Sequence, residues 1–203
     1  MKDMIKTASI LDKILHILYI ATMIGIVGCL VGLGIIAAGV LFDLPPHMIG
    51  TGFNTFSLGF LTFSLSEASM PDFHTVLGWI AAEIGITLLC TFIARKMIAS
   101  FRDILAPMKT GSPFHNIVSI RLRSLAKYTC ILGVAMNFHD IASNILFETV
   151  YNLSSVILSD QVTHVTVTNV FDLSFLFIAA ILLLLSFVFR YGEELQQLSD
   201  ETL

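Results

Sequence analysis

A long stretch near the start of the chain carries no Asp, Glu, Lys or Arg. It runs from Ile14 to Phe42, and about 20 apolar residues are enough for a helix to cross the roughly 30 Å of hydrocarbon in a bilayer. A helix also satisfies its own backbone hydrogen bonds, which a segment surrounded by lipid requires. The stretch therefore predicts a transmembrane helix.

Three further apolar segments follow, separated by more polar ones. The composition agrees with a membrane protein, since 56% of the residues are hydrophobic and 13% are charged, against about 25% charged in ordinary soluble domains. We predict an all-α membrane protein, a four-transmembrane-helix bundle with small β-rich extracellular loops, formed by residues 1–203 as a single domain. The predicted helices span about 14–42, 76–105, 113–148 and 170–190, with outer loops at 43–75 and 149–169 and a cytoplasmic tail at 191–203.

The basic residues all fall on one side of this four-span arrangement. The chain has 11 lysines and arginines, and the two outer loops contain none of them. Loops rich in Lys and Arg stay in the cytoplasm, so the positive-inside rule places both termini and the central loop there. We expect a multi-pass protein of the cell membrane. The basic residues are Lys2, Lys6, Lys13, Arg95, Lys96, Arg102, Lys109, Arg121, Arg123, Lys127 and Arg190.

The first outer loop has an alternating pattern. Apolar residues alternate with small polar ones from Phe56 to Phe60 and from Leu61 to Leu65, on either side of Gly59, which is the period of a β-hairpin. The valines at 162, 165 and 167 among threonines suggest one more strand in the second outer loop.

The central loop carries signals for a helix end and a new helix start. Pro107 is predicted to end the second helix, because proline disrupts a helix interior. The sequence Lys109-Thr110-Gly111 predicts a turn. Ser112 can then cap a third helix whose first residue is Pro113, a position where the missing N–H does no harm.

Two acids lie inside the predicted spans, where an ionised carboxylate costs about 2.5 to 3.5 kcal/mol. Glu83 lies eight residues in from Thr75 and Asp140 eight residues in from Glu148, so both are about 12 Å below the outer surface at 1.5 Å per residue. Other polar residues accompany them on the third helix and at the start of the fourth. The predicted intramembrane polar cluster comprises Glu83, Asn137, His139, Asp140, Asn144 and Asp172.

This cluster has two interpretations. In the functional one, Glu83 and Asp140 share a proton in a proton- or cation-binding pocket. In the structural one, the polar side chains hydrogen-bond the helices together. The sequence leaves both open.

A glycine face on the first helix favours close helix packing. Gly28 and Gly32 form a GxxxG pair, and Gly25 lies on the same face, so another backbone can approach closely. We expect either packing within the chain or a homo-oligomer through Gly25, Gly28 and Gly32.

The sequence contains no motif for catalysis or nucleotide binding. It has no P-loop, no GxSxG and no HExxH, and such motifs supply the phosphate cradle, nucleophile or metal ligands that these chemistries need. We therefore expect no enzymatic activity, no catalytic residue, no metal site, no cofactor and no direct binding of nucleic acid.

Two stretches carry a family resemblance. Gly111-Ser112-Pro113-Phe114 is followed by Arg121-Leu122-Arg123, and the chain closes with Gly192-x-x-Leu195 and Asp200-Glu201-Thr202-Leu203. Together with four spans, these motifs resemble the bacterial membrane-protein family catalogued as domain of unknown function 2975. Departures from that pattern are the missing acidic pair in residues 115–120 and Ala126 at a position where glycine is frequent.

The resemblance implies a regulatory role rather than catalysis. Members of this kind are often found beside small helix-turn-helix regulators, which implies a membrane protein that holds or antagonises such a cytoplasmic partner. The matching residues, where contact with a partner is expected, are Pro113, Phe114, Arg121, Arg123, Leu195, Asp200 and Thr202.

Two functions are therefore compatible with the sequence. The first is a regulatory or sensory membrane protein that uses its central loop and tail. The second is a small proton- or cation-coupled transporter, or a peptide-immunity protein, that uses the pocket around Glu83 and Asp140. The lipid bilayer is a partner in either case.

Overall fold

The computed structural model describes residues 2–42, 55–58, 61–64, 72–111, 113–151 and 170–201. For the two strands it describes the backbone only. The elements, in chain order, are α1 Lys2–Leu41, β1 Thr55–Leu58, β2 Leu61–Ser64, α2 Phe73–Lys109, α3 Asn116–Tyr151 and α4 Ser174–Glu201.

All four helices are long and apolar enough to cross a membrane. Only 6 to 17% of the residues in their most apolar windows are buried inside the protein. Soluble monomers rarely expose contiguous apolar surface on this scale, whereas lipid covers it at no cost. The predicted class, a helical protein with four candidate membrane spans, is confirmed.

The helices are longer than the apolar segments that revealed them. α1 begins at Lys2 rather than at residue 14, and α4 continues to Glu201 instead of ending near residue 190. Hydropathy marks the part of a helix that suits lipid, but the backbone remains helical beyond it while its side chains find partners. In α4, Arg190 Nε lies 3.2 Å from Glu194 Oε1 one turn later, a spacing that supports a solvated helix.

Both ends of α2 differ from the predicted ones. Asp72 caps its start, because its Oδ2 accepts hydrogen bonds from the N–H and the hydroxyl of Thr75, at 3.1 and 3.2 Å. The prediction that Pro107 ends the helix is wrong, since α2 continues to Lys109. The turn that follows is confirmed, and Gly111 has a φ of 85°, which glycine adopts without steric cost.

The start of α3 lies three residues beyond the predicted one. The helix begins at Asn116, so Pro113 is not its first residue, and Ser112 lies outside the described residues. His115 is the cap instead: its Nδ1 accepts the N–H of Ile117 at 3.3 Å. Residues 113–115 precede the helix, and there the Phe114 ring packs against Phe189 of α4.

The two strands form an antiparallel pair. Their register joins Phe56 to Phe63 and Leu58 to Leu61, on either side of residues 59 and 60, which lie outside the described part. No other strand occurs among the residues that the structure describes, so a wider description of the loops as β-rich has no support. The strand suggested near residues 162–167 lies outside that part too, as does most of both outer loops.

The chain divides into two compact units. The first comprises Met1–Ile26, Leu89–Asn137 and Phe171–Leu203, and the second comprises Val27–Leu88 and Phe138–Val170. The first unit holds a buried apolar core in which α2, α3 and α4 meet. Its residues are Ile104, Val118, Leu122 and Leu125, with Leu182 and Phe189 packed against them.

The second unit is held in part by aromatic packing between α2 and α3. The ring of Trp79 lies 5.8 Å from that of Phe147 and 6.0 Å from that of Tyr151. Aromatic residues of this kind are typical of the level at which a membrane meets water.

The glycine face of α1 contacts α2 of the same chain. A Cβ placed on Gly25 would lie 3.7 Å from Thr91 Cγ2 in the first unit, and one on Gly32 would lie 3.3 Å from Ile84 Cδ1 in the second. A Cβ on Gly28 would meet nothing within 4 Å. Gly25 and Gly32 therefore serve packing within the chain, and a homo-oligomer through this face stays a prediction.

Candidate functional site

His139 joins the two predicted intramembrane acids. Its Nε2 lies 2.6 Å from Glu83 Oε2, and its Nδ1 lies 3.3 Å from Asp140 Oδ1. Glu83 belongs to α2, whereas His139 and Asp140 are neighbours on α3. Each carboxylate thus contacts a different ring nitrogen of the same imidazole.

An imidazole between two carboxylates can take up or pass on a proton. Its two ring nitrogens can each donate or accept, depending on tautomer and charge. The Glu83 and His139 side chains are each 26% exposed, and that of Asp140 is 71% exposed. Asp140 is thus the most exposed of the three side chains, whereas Glu83 and His139 are more enclosed.

Asn144 lies close to Asp140, the most exposed of these three side chains. It lines a cavity of about 290 Å³ together with Asp140, Ser143 and Val170. The cavity is large enough to admit water molecules or a small ion. A proton-binding group needs such water to exchange its proton.

Asn137 and Asp172 form a separate pair in the first unit. Asn137 Nδ2 donates to the Asp172 carbonyl at 3.0 Å, and the Asp172 N–H donates to Asn137 Oδ1 at 2.7 Å. Nδ2 also donates to the Gly133 carbonyl at 2.8 Å. Asn137 is buried, and it fastens the segment that precedes α4 to α3. These hydrogen bonds agree with the structural interpretation of the cluster, in which polar side chains hold parts of the bundle together.

The Asp172 carboxylate itself caps α4. Its Oδ1 accepts the N–H of Ser174 and its Oδ2 accepts the Ser174 hydroxyl, both at 2.8 Å. These hydrogen bonds favour the ionised form and hold the pKa of Asp172 below its ordinary value of 3.8. Asp172 thus acts as a helix cap.

This cap predicts an acid-sensitive start of α4. A carboxyl whose pKa is lower in the folded state stabilises that state above its unfolded pKa, and loses the contribution as the pH falls through the folded pKa. We expect unfolding in detergent to become easier below about pH 4, near the ordinary carboxyl pKa, with a shallower pH slope in Asp172→Asn. Asparagine keeps the capping oxygen and does not titrate there. Equal slopes for the two proteins would contradict this assignment.

The loop before α3 packs against the end of α4. The rings of Phe114 and Phe189 are 5.8 Å apart. A Cβ on Gly192 would fall within 3.0 Å of the Phe114 ring, so only glycine allows this approach. Phe114 and the Gly192-x-x-Leu195 motif, which are far apart in sequence, therefore meet in the first unit.

A cavity of about 300 Å³ lies at this junction. The loop contributes Phe114 and His115, α3 contributes its first residue, Asn116, and α4 contributes Glu193 and two glutamines. Leu195, which lies three residues after Gly192 on α4, is exposed. We call the surface formed by residues 113–116 and 191–201 the loop–tail surface.

Among the remaining predicted contact residues, the structure describes the side chains of Pro113, Arg121 and Arg123 but not those of Asp200 and Thr202. Arg121 Nε lies 2.9 Å from Asp103 Oδ2, so its charge is already paired within the chain. The Arg123 guanidinium lies 5.3 Å from the centre of the Phe187 ring, and Pro113 is half-buried beside Phe114. The backbone of Asp200 lies in α4 but its side chain is not described, and Thr202 lies outside the described residues.

A charged network between α1 and α2 was not foreseen from the sequence. Asp12 accepts from Arg102 at 3.1 Å and from Lys109. Tyr19 accepts from Arg95 at 2.6 Å, and the Arg95 guanidinium lies 3.8 Å from the centre of the Tyr19 ring. The later residue on α1, Tyr19, contacts the earliest of the three basic residues on α2. The two helices are therefore antiparallel in the first unit, and these contacts hold them together.

A spacing of seven residues was the available signal for this network. Asp12 and Tyr19 are seven residues apart on α1, and Arg95, Arg102 and Lys109 follow at the same interval on α2. A seven-residue interval places side chains on one face of a helix. The basic residues indicated only the orientation of the chain, because their partners on α1 are more than 70 residues away in sequence.

The fold and its four candidate spans define the chain as a multi-pass helical membrane protein. Within the part of the chain that the structure describes, no group of three or more His, Cys, Asp or Glu side chains is placed to hold a metal ion. No protein-family model, curated protein or solved structure matches the chain.

Proposed function

We propose that this chain is a regulatory membrane protein that holds a cytoplasmic partner, such as a small helix-turn-helix transcription regulator, on its loop–tail surface. The observation that supports this most is the packing of Phe114 against Phe189 and Gly192. This packing brings together two segments of the chain. The resemblance to the family of unknown function 2975 had independently indicated both of them as contacts for a partner. Membership of that family is part of the proposal, and so is the absence of enzymatic activity.

The charge distribution supports the proposed orientation. The loop–tail surface belongs to the unit that contains every described lysine and arginine. The positive-inside rule assigns the loops and helix ends that carry these residues to the cytoplasm. The helical extension of α4 to Glu201 then projects into the cytoplasm, where a soluble regulator can reach it.

The second candidate is a proton-coupled role for the chain Glu83–His139–Asp140. Its support is the position of the imidazole, which contacts a carboxylate through each ring nitrogen. Connected Asp, Glu and His side chains inside membrane spans form the proton relays of pumps and transporters. In this case, the carboxylates are essential and the end of α4 is dispensable.

One experiment separates the two candidates. We expect a tagged chain purified from native membranes to bring down a DNA-binding protein in stoichiometric amount, and a variant lacking residues 194–203 to lose it. This truncation keeps Gly192, so the Phe114 contact remains. Glu83→Gln with Asp140→Asn is the matched control and should retain the partner. No partner with the full chain, together with ion-dependent uptake that the double variant abolishes, would favour transport.

A further inference from the structure

The last three turns of α4 carry an exposed apolar stripe. Tyr191, Leu195 and Leu198 are 63%, 50% and 59% exposed, and their spacings of four and three residues place them on one face of the helix. Arg190 is the first charged residue after the apolar part of α4. At 1.5 Å per residue, Leu198 lies about 12 Å beyond this first charge along the helix axis.

Acidic side chains border this stripe. Glu194 and Glu201 each follow a stripe residue by three positions, and they lie seven residues apart, on the same side of the helix. The segment 190–201 contains one arginine against four acids, a net charge of −3. The arginine is paired with Glu194. The extension is therefore an acidic amphipathic helix.

The charge decides among the candidate occupants. The cytoplasmic leaflet is anionic and attracts basic segments, so an acidic helix does not settle on it. A second copy of α4 would bring two segments of charge −3 side by side, and like charges across an interface cost several kcal/mol. A helix with an apolar face and flanking Lys or Arg residues meets no such penalty.

We propose that the face formed by Tyr191, Leu195 and Leu198 binds a basic amphipathic helix of a partner protein. The leucines receive the apolar residues of that helix, which is the usual way an amphipathic helix is recognised. Glu201 pairs with its basic residues, and Glu194 does so by exchanging its exposed contact with Arg190. This inference rests on the proposed function and specifies the chemistry of the partner.

The test uses the full-length chain in nanodiscs of phosphatidylcholine. The probe is a labelled synthetic 18-residue helix with leucines at i, i+3, i+4 and i+7 and lysines beside them. The control peptide has glutamate in place of every lysine. Fluorescence anisotropy should show saturable binding of the basic peptide and none of the acidic one, after subtraction of binding to empty nanodiscs.

Variants of the stripe give the decisive comparison. Each leucine buried on binding contributes roughly tenfold in affinity or more, so Leu195→Ser with Leu198→Ser should weaken binding about 100-fold. Ile10→Ser, at a position 51% exposed on α1, is the matched control and should leave the affinity unchanged. Glu194→Gln with Glu201→Gln should reduce the dependence of affinity on salt. All the substituted positions are exposed, so these variants are expected to fold.

Several outcomes would overturn the inference. They are equal binding of both peptides, binding no stronger than to empty nanodiscs, an affinity that the double serine variant does not change, or self-association that this variant abolishes. If the native partner co-purifies and the serine variant retains it, the proposed function stands and this inference fails. If no partner co-purifies, the proposed function fails, and the peptide measurement still tests the surface.

Discussion

Replacing Asn137 by leucine is expected to destabilise the protein by about 1–3 kcal/mol. The substitution leaves the Asp172 N–H and carbonyl without the partners that Asn137 supplies at 2.7 and 3.0 Å. Asp172 is itself exposed, so each of the two lost hydrogen bonds is expected to contribute its net value of about 0.5–1.5 kcal/mol. Asn137 is only 6% exposed, so water cannot readily replace the amide. Unfolding in mixed detergent micelles, followed by far-UV circular dichroism, measures the change.

The matched control for this variant is Thr7→Leu. Thr7 is an exposed position on α1, and the substitution makes the same change from a polar to an apolar side chain. Exposed substitutions usually alter stability by no more than about 0.5 kcal/mol. If Asn137→Leu were as stable as this control, the amide would not be the fastening between α3 and the start of α4.

Replacing Gly133 by leucine is expected to cost about 3 kcal/mol or more, at the upper end of the effects seen when side chains are added to a packed interior. A Cβ at this position would fall within 3.0 Å of the Phe175 side chain. Phe175 is 8% exposed, so its ring has little room to move away. The same unfolding measurement applies, and we expect a lower yield of folded protein.

Two comparisons make this prediction specific. Gly85→Leu is the matched control, because a Cβ on Gly85 would meet nothing within 4 Å, and we expect little loss of stability. Gly133→Leu combined with Phe175→Ala should cost less than the sum of the two single variants, since residues in direct contact do not act additively. Full additivity would show that the two positions do not clash.

The sequence predicted the parts of the fold that depend on local properties. A run without charges predicts a span wherever it occurs, because transfer of a helix into lipid depends on its own residues. The turn at Lys109-Thr110-Gly111 was also predictable, since glycine tolerates a positive φ. By contrast, the helix bounds at Lys2, Asn116 and Glu201 differ from those that hydropathy and the proline and glycine signals predicted.

The sequence predicted which residues form the candidate site but not which of them contact each other. The residues Glu83, His139 and Asp140 were identified because polar groups in a span need partners. Nothing in the sequence indicated that the imidazole lies between the carboxylates, or that Asn137 joins the backbone of Asp172. Which polar side chains meet depends on the rotation and separation of two helices, and their packing sets both.

The sequence by itself determined that this chain has four helices apolar enough to span a membrane, and that residues 43–75 and 149–169 carry no lysine or arginine. Hydropathy and charge are summed along the chain, so neither needs a tertiary contact. Only the tertiary structure decided that Phe114 docks on Gly192, that Asp12 pairs with Arg102 and Lys109, and that α4 continues as an acidic helix. The first two contacts join residues distant in sequence, and their free energy depends on distances of a few ångströms, which only the packed helices fix.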